Sequence, residues 1–484
     1  MNLFTCTNLI AMGRYIPTPF HLSIAKDQGE IELKIETILR IVPGKRLVAV
    51  TRWKDELVIL KLFFQPGHWK RNLLKDIKGV NLLRQSSIQT PDIIHQTTTT
   101  DIAAGVLIID YLQRGASLAA VFDKASTDAE QLDILQTAIR TIAECHRVGV
   151  WQKDIHLDNF MMSDGCIYLL DGGEIESTMD ALDERTRMKN LAMFFAQFAI
   201  ATDRHLEQAV EHYQNNSDLS AQLDIASLKE KITDARVTRL EHYERKLYRS
   251  TTANRCVQNG NRFVIYNRSI HSEEIESFIN KPNEYIDEGQ LVKKGNTSTV
   301  ASVRINNKEF MLKRYNIKGF WHGLKRSLQP SRAHHSWRNA SMLEMLGLAT
   351  PHAFLFMEER FLWVFRSRAY ILYEKIEGNT VLEQLQDSAE SPEAEKILQE
   401  FTDVFQIMEK YQINHGDMKA SNFIYSGDKL YMLDLDAMQR HRYRQKFMVL
   451  FSRDMVRFRK NWIGSKLEPL VNRLFVDIDT SSSG

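Results

Sequence analysis

One arrangement of three polar residues occurs twice in this chain, and it constrains the fold more than any bulk property does. The first copy is Gln152-Lys153-Asp154-Ile155-His156-Leu157-Asp158-Asn159-Phe160, followed by Tyr168-Leu169-Leu170-Asp171-Gly172-Gly173. The second is His415-Gly416-Asp417-Met418-Lys419-Ala420-Ser421-Asn422-Phe423, followed by Tyr431-Met432-Leu433-Asp434-Leu435-Asp436. In both, an Asn stands five residues after the first Asp and a further Asp stands 17 residues after it (154, 159, 171 and 417, 422, 434). Such a set suits phosphoryl transfer: one carboxylate accepts the proton of an attacking hydroxyl, while an amide oxygen and a second carboxylate hold Mg2+ against nucleotide phosphates. Two copies imply two domains of one design.

Other segments repeat with the same offset of about 260 residues. Val58-Ile59-Leu60-Lys61-Leu62-Phe63 answers Phe310-Met311-Leu312-Lys313-Arg314-Tyr315, both β-rich runs carrying a lysine. Thr90-Pro91 answers Thr350-Pro351, each proline ending a helical pattern. Ile108-Ile109-Asp110-Tyr111 answers Ile371-Leu372-Tyr373-Glu374. Apolar residues at three- and four-residue spacing predict helices over 128–147 and 392–411, each leading into an Asp–Asn segment. A charge-rich stretch over 223–248, without Gly or Pro, reads as a closing or connecting helix. The expected domains are therefore 1–248, ending in that helical linker, and 249–484, with first strands near 261–266 and 290–305 and a disordered tail over 480–484.

Composition fits a soluble globular chain. Of 484 residues, 43% are hydrophobic and 26% charged, and the net charge is only +2, so no overall field argues for nucleic acid. Cys6, Cys145, Cys166 and Cys256 have neither metal-motif nor disulfide spacing, which suits a reducing cytoplasm. No secretory signal and no membrane-spanning run is expected, so any membrane association would be peripheral. From Arg440 to Arg473, ten Lys or Arg face only two acids and are interleaved with Phe447, Phe451, Phe458 and Trp462. That stretch reads as a solvated basic helix face or as a surface for anionic lipid or phosphorylated sugar.

The chemistry assigns roles. Asp154 and Asp417 are the expected bases; Asn159, Asp171, Asn422 and Asp434 the expected Mg2+ ligands. Lys61 and Lys313 are placed to orient the ATP phosphates. Gly44 and Gly295 lie in loops just upstream, where a glycine lets backbone N–H groups approach phosphate, although neither loop has the GxGxxG pattern. Lys419 is placed to stabilise the transferred phosphoryl group; His156 stands there in the first half and reads as a local packing residue. The acid that would hold each lysine is less clear: Asp76 is the candidate in the first half. In the second, the offset falls on Ser336, leaving Glu344 two turns further on.

These residues resemble the protein-kinase-like superfamily and, within it, the bacterial lipopolysaccharide kinases that phosphorylate core heptose or Kdo. The likeness covers about residues 35–210 and 285–465. It rests on Ile413-Asn414-His415-Gly416-Asp417 with Asn422, on Leu433-Asp434-Leu435-Asp436, and on Leu312-Lys313-Arg314-Tyr315-Asn316 with Ser331-Arg332-Ala333 and Ser336-Trp337. The resemblance implies an α/β (α+β) chain of two tandem bilobal kinase-like domains, each a β-rich N-lobe over a helical C-lobe. It also implies ATP, Mg2+ and a lipopolysaccharide core acceptor at the cytoplasmic face of the inner membrane. The first half departs from the pattern. It has Gln152 in place of the usual His, Asn190 where the second half has Asp454 (the acid expected to brace the catalytic loop), and a shorter lysine-to-helix segment.

The basic and aromatic segment 318–337, with Trp321, His322, Lys325, Arg326, Arg332, His334 and His335, reads as an exposed loop or a grip for a phosphorylated glycan; its histidines lack zinc spacing. Two other functions compete with the sugar kinase. A protein serine/threonine kinase ranks lower because no APE-like segment follows Asp171 or Asp434. A kinase–pseudokinase tandem would leave the first half to bind or regulate.

Overall fold

The computed structural model describes residues 3–26, 29–101, 103–219, 222–316, 329–361, 365–387 and 391–473. The 318–328 part of the basic–aromatic segment and the 480–484 tail lie outside the described residues. The chain divides into two compact units, Met1–Arg236 and Val237–Gly484. The dividing point lies inside the helix Ile225–Glu244.

In the first unit, five antiparallel strands form a sheet in the order Thr37–Val42, Arg46–Trp53, Glu56–Phe63, Gly105–Asp110, Ile93–Thr98. The central strand Glu56–Phe63 is apolar on both faces because both are covered. Val58, Leu60 and Leu62 enter a core shared with the hairpin Phe20–Lys26/Gly29–Ile35. On the other side, Ile59 and Phe63 pack with Leu73 of the helix Trp69–Gln85. A two-residue alternation puts Lys61 on this second face. The helix presents Leu73, Asp76, Val80 and Leu83 on one buried stripe, so Asp76 faces the sheet rather than solvent.

The rest of the first unit is mainly helical. Asp128–Arg147 starts on a Thr127–Glu130 capping box and buries Ile134, Leu135, Ala138, Ile139 and Ile142. It packs with Glu184–Phe195 and Leu206–Asn215 around Phe160, Phe194 and Phe198.

In the second unit, seven antiparallel strands run in the order Gln290–Lys294, Ser298–Ile305, Lys308–Tyr315, Phe365–Glu374, Ala353–Phe361, Arg262–Asn267, Asn254–Asn259. The first five have the same order by sequence position as the five of the first unit. The last two are added at the far edge. Phe310 and Leu312 face a core with Glu273–Asn280 and Pro282–Glu288. Lys313 and Tyr315 face the other way, where the Tyr315 hydroxyl is 3.0 Å from Ser336 of the helix Arg332–Leu346. The helix Pro392–Lys410 begins on Ser391 with Pro392 at its first position. Its Phe401 and Phe405 pack on Phe458 of the helix Arg444–Arg459. The His334 ring stacks on Tyr248 at 4.1 Å.

One buried histidine gives the first unit an acid-sensitive element. His146 is fully buried and hydrogen-bonds Tyr213 and Asn190 through its two ring nitrogens. Burial pushes its pKa down to about 4. Because the folded pKa lies below the unfolded one, its stabilising contribution is complete above about pH 6.5 and is lost as pH falls towards 4. A shift of that size corresponds to roughly 3 kcal/mol. Thermal unfolding followed from pH 7.5 to 4 should show this acid limb. A His146→Phe chain should start less stable at neutral pH yet lose less on acidification.

Candidate active site

In the second unit the Asp–Asn segment is tied to the Asp434 segment at two places. The short strand Ile413–Asn414 pairs with Gln439–Arg440, and the Leu433 N–H donates to the Asn422 carbonyl at 2.8 Å. Asn422 is thereby held beside the residue that precedes Asp434. Its amide Nδ2 donates back to the Asp417 carbonyl at 2.8 Å and to the Asp417 carboxylate at 3.3 Å. Lys419 lies 3.0 Å from that carboxylate and Arg457 3.4 Å. Gly416 is required on two counts. Its φ is +82°, and a Cβ there would sit 2.7 Å from the Ala437 carbonyl oxygen.

Buried Asp454 braces this loop from the helix Arg444–Arg459. One carboxylate oxygen accepts the N–H of His415 at 2.7 Å, the N–H of Gly416 at 2.9 Å and Asn414 Nδ2 at 3.3 Å. His415, fully buried, donates from Nε2 to the Leu433 carbonyl at 3.0 Å and accepts the Asp417 N–H on Nδ1 at 3.4 Å. Burial lowers its pKa, which keeps the ring in the neutral form that this pattern needs.

Asp434 adopts a left-handed backbone, φ 55° and ψ 56°, at the start of the turn Leu435–Ala437. Lys313 meets its carboxylate at 2.6 Å and stands 3.6 Å from Asp436, which pairs with Arg332 at 2.6 Å. Burial tends to raise the Asp434 pKa, but Lys313 outweighs it and the net shift is downward. Burial raises that of Asp436, with neighbouring Asp434 adding to the rise. The helix Arg332–Leu346 reaches this turn through Asn339, whose Nδ2 donates to the carbonyls of Leu435 and Met438, both at 2.8 Å. Glu344 has another partner: it holds His352 at 2.6 Å. The expectation of Glu344 as the acid for Lys313 is therefore corrected. Its place on the helix turns it toward His352, and Lys313 is met by Asp434.

The first unit repeats the frame with different side chains. Lys61 pairs with Asp76 at 2.9 and 3.2 Å, both buried. The Leu170 N–H donates to the Asn159 carbonyl at 2.8 Å. Gln152 Nε2 donates to the Leu170 carbonyl at 2.9 Å, the bond that His415 makes in the second unit. Asn190 replaces the charged brace with a neutral one, donating to the Gln152 carbonyl at 2.8 Å while accepting from His146 at 3.0 Å. His156 caps the following turn by accepting the Asp158 N–H at 3.3 Å. Asp154 is exposed, with no side-chain hydrogen bond or ion pair among the described residues.

Asp171, also left-handed at φ 58°, has both carboxylate oxygens taken by Arg46, at 2.9 and 3.0 Å. The helix Trp69–Gln85 meets the Asp171-Gly172-Gly173 turn glycine on glycine. A Cβ on Gly79 would lie 1.9 Å from the Gly172 carbonyl oxygen. A cleft of about 250 Å³ opens here, lined by Lys45, Arg46, Lys75, Asp76, Asp171 and Glu174 among others. Gly44 sits in the preceding turn at φ +67°, and Gly295 turns the corresponding hairpin of the second unit, its N–H donating to the Ser298 carbonyl at 3.0 Å.

Among the described residues no group of three or more His, Cys, Asp or Glu could cage a metal ion. Mg2+ beside a nucleotide takes one or two carboxylates and completes its shell with phosphate oxygens and water. Asn422 and Asp434 supply hard oxygen donors of this kind, while Asp436 is paired with Arg332.

Residues 276–462 match the family model of the lipopolysaccharide kinase (Kdo/WaaP) family. The matched stretch carries Lys313, Asp417, Asn422 and Asp434 and supports a phosphotransferase. No curated protein matches the chain significantly. Among solved structures, one described as WaaP in complex with acyl carrier protein is similar at 14% identity, covering 44% of this chain and 89% of its own, with a TM-score of 0.30. A rhoptry kinase from Toxoplasma gondii is similar at 11% identity, covering 36% of this chain and 57% of its own, with a TM-score of 0.28.

Sequence spacing singled out Lys61, Lys313 and the Asp–Asn–Asp sets but not Arg46 and Arg457, which approach their carboxylates from distant segments. Replacing Asp454 with Ala would strand two backbone N–H groups at roughly 1–3 kcal/mol each. Urea unfolding of Asp454→Ala should show a loss of about 3 kcal/mol. Asp454→Asn, which keeps an accepting oxygen, should lose less.

Proposed function

We propose that the chain is an ATP-dependent kinase whose second unit phosphorylates a sugar hydroxyl, of heptose or Kdo, in lipopolysaccharide core. The observation that carries the reading is the linked set Lys313–Asp434 and Asn422–Asp417 inside the stretch that matches the lipopolysaccharide kinase family. In this reading Asp417 takes the proton of the acceptor hydroxyl as its oxygen bonds to the γ-phosphorus and the bond to the ADP oxygen breaks. Lys419 and Arg457 fix the carboxylate and offset negative charge on the moving phosphoryl group. Lys313 orients the ATP phosphates. Mg2+, held by Asn422 and Asp434, would neutralise phosphate charge.

Purified chain with labelled ATP and core oligosaccharide tests this directly. Asp417→Asn should lower kcat by about 10²–10⁴-fold while nucleotide affinity stays close to that of the parent. Turnover that survives the change would reject Asp417 as the base. Transfer to peptides with none to oligosaccharide would reject the acceptor.

A lipopolysaccharide precursor is anchored in a bilayer, and we propose that the chain meets it peripherally at the cytoplasmic face of the inner membrane. No helix of the described residues is long and apolar enough to cross a membrane. The helix Arg444–Arg459 buries Phe447, Phe451 and Phe458 and exposes Val449 and Val456 beside Lys446, Arg453 and Arg457. A narrow apolar stripe flanked by cations suits an anionic surface. Cosedimentation with anionic vesicles should fall several-fold in a Lys446→Glu, Arg453→Glu chain. Transfer to a soluble core fragment should remain. Equal binding to neutral vesicles would remove the electrostatic basis.

A further inference from the structure

The two units treat the carboxylate that follows the Asn in opposite ways. In the second, one oxygen of Asp434 meets the strand lysine. In the first, the strand lysine is committed to Asp76, and the cation on Asp171 is Arg46. Strand register shows why only one unit has it. Lys61 lies opposite Val48, and Lys313 opposite Val300. Two residues earlier on those partner strands stand Arg46 and Ser298, and serine is too short to reach across.

The Arg46–Asp171 contact is a fork, with Nη1 to Oδ1 at 2.9 Å and Nη2 to Oδ2 at 3.0 Å. Both side chains are largely shielded, with 22% and 15% exposure. Arg46 is held at its backbone on both sides, paired with Val42 and with Phe63. Burial works against its charge, but Asp171 prevails and the guanidinium pKa is raised; Asp171, which burial would push up, is lowered by Arg46 in turn. The fork takes one lone pair on each Asp171 oxygen and holds a cation against the carboxylate, so a divalent ion there would lose its charge attraction to Asp171 and meet repulsion from Arg46. The fork cancels the Asp171 charge, and because a guanidinium has five N–H donors, donors remain for a phosphate. Lys45 and Lys75 line the same cleft.

We propose that the first unit is a metal-independent nucleotide site: it binds the polyphosphate of a nucleoside triphosphate with the Arg46 guanidinium standing where the second unit would use a divalent cation.

Calorimetric titration of ATP into the full chain tests this. Lys313→Ala and Asp434→Asn are introduced together to silence the second site. In this background ATP should bind saturably in EDTA, and excess Mg2+ should change the affinity by less than about threefold, because Asp171 is already neutralised. Arg46→Ala should weaken binding in EDTA by about tenfold or more and make the remainder depend on Mg2+, since Asp171 is then freed. Arg46→Lys, which keeps the charge without the fork, should fall between, and it guards against a loss caused by misfolding when both melting curves match the parent. Binding only with Mg2+, no binding in either buffer, or Arg46→Ala that binds in EDTA as well as its parent would each overturn the proposal.

Discussion

The second site depends on a charge that is buried behind the loop carrying Asp417. Asp454 is sealed beneath the loop, and its one oxygen gathers the N–H groups of His415 and Gly416 and the amide of Asn414. A buried carboxylate is costly unless its lone pairs are filled, so the loop and the helix can lower their free energy only together. Once the loop is set, His415 has one ring nitrogen on the Leu433 carbonyl and the other on the Asp417 N–H. The backbone at Asp417 and the backbone just before Asp434 are then held by one ring.

The first unit reaches a similar backbone with neutral groups. Asn190 stands in for the acid, Gln152 for the histidine, and His146 and Tyr213 complete the chain of hydrogen bonds. A neutral network donates and accepts through fixed atoms and avoids the cost of a buried charge. It braces the loop at the Gln152 carbonyl rather than at consecutive N–H groups. Around Asp154 the contrast is larger. Asp417 is surrounded by Lys419, Arg457 and Asn422, whereas Asp154 faces solvent.

Much of this was legible in the sequence because it is local. The alternation around Lys61 and Lys313 put both lysines on strands, and the helical periodicity over 128–147 agrees with the observed Asp128–Arg147. Asp76 is the candidate in the first half, and the structure places it on the buried stripe of its helix, against Lys61. Glu344 could not be judged in the same way. A fixed offset ignores the different connections between strand and helix in the two halves, and the acid that meets Lys313 comes from 121 residues away. Arg46 was in plain view in a glycine loop, but its role rests on a contact across 125 residues. Strand register identifies it, and register is fixed by pairing rather than by the order of residues. Arg457 was hidden for a similar reason, being one cation among several on a basic helix.

The way each helix touches its turn has a mechanical consequence. In the first unit Gly79 and Gly172 bring two backbones together with no side chain between them. Such a seam has no compliant part, so any rocking of the helix Trp69–Gln85 is passed whole to Asp76 and on to Lys61. In the second unit the seam runs through side chains: Asn339 donates to the carbonyls of Leu435 and Met438, and Arg332 pairs with Asp436. The first joint is backbone against backbone, and the second has rotatable side-chain bonds at the contact, so the second joint is the more compliant of the two.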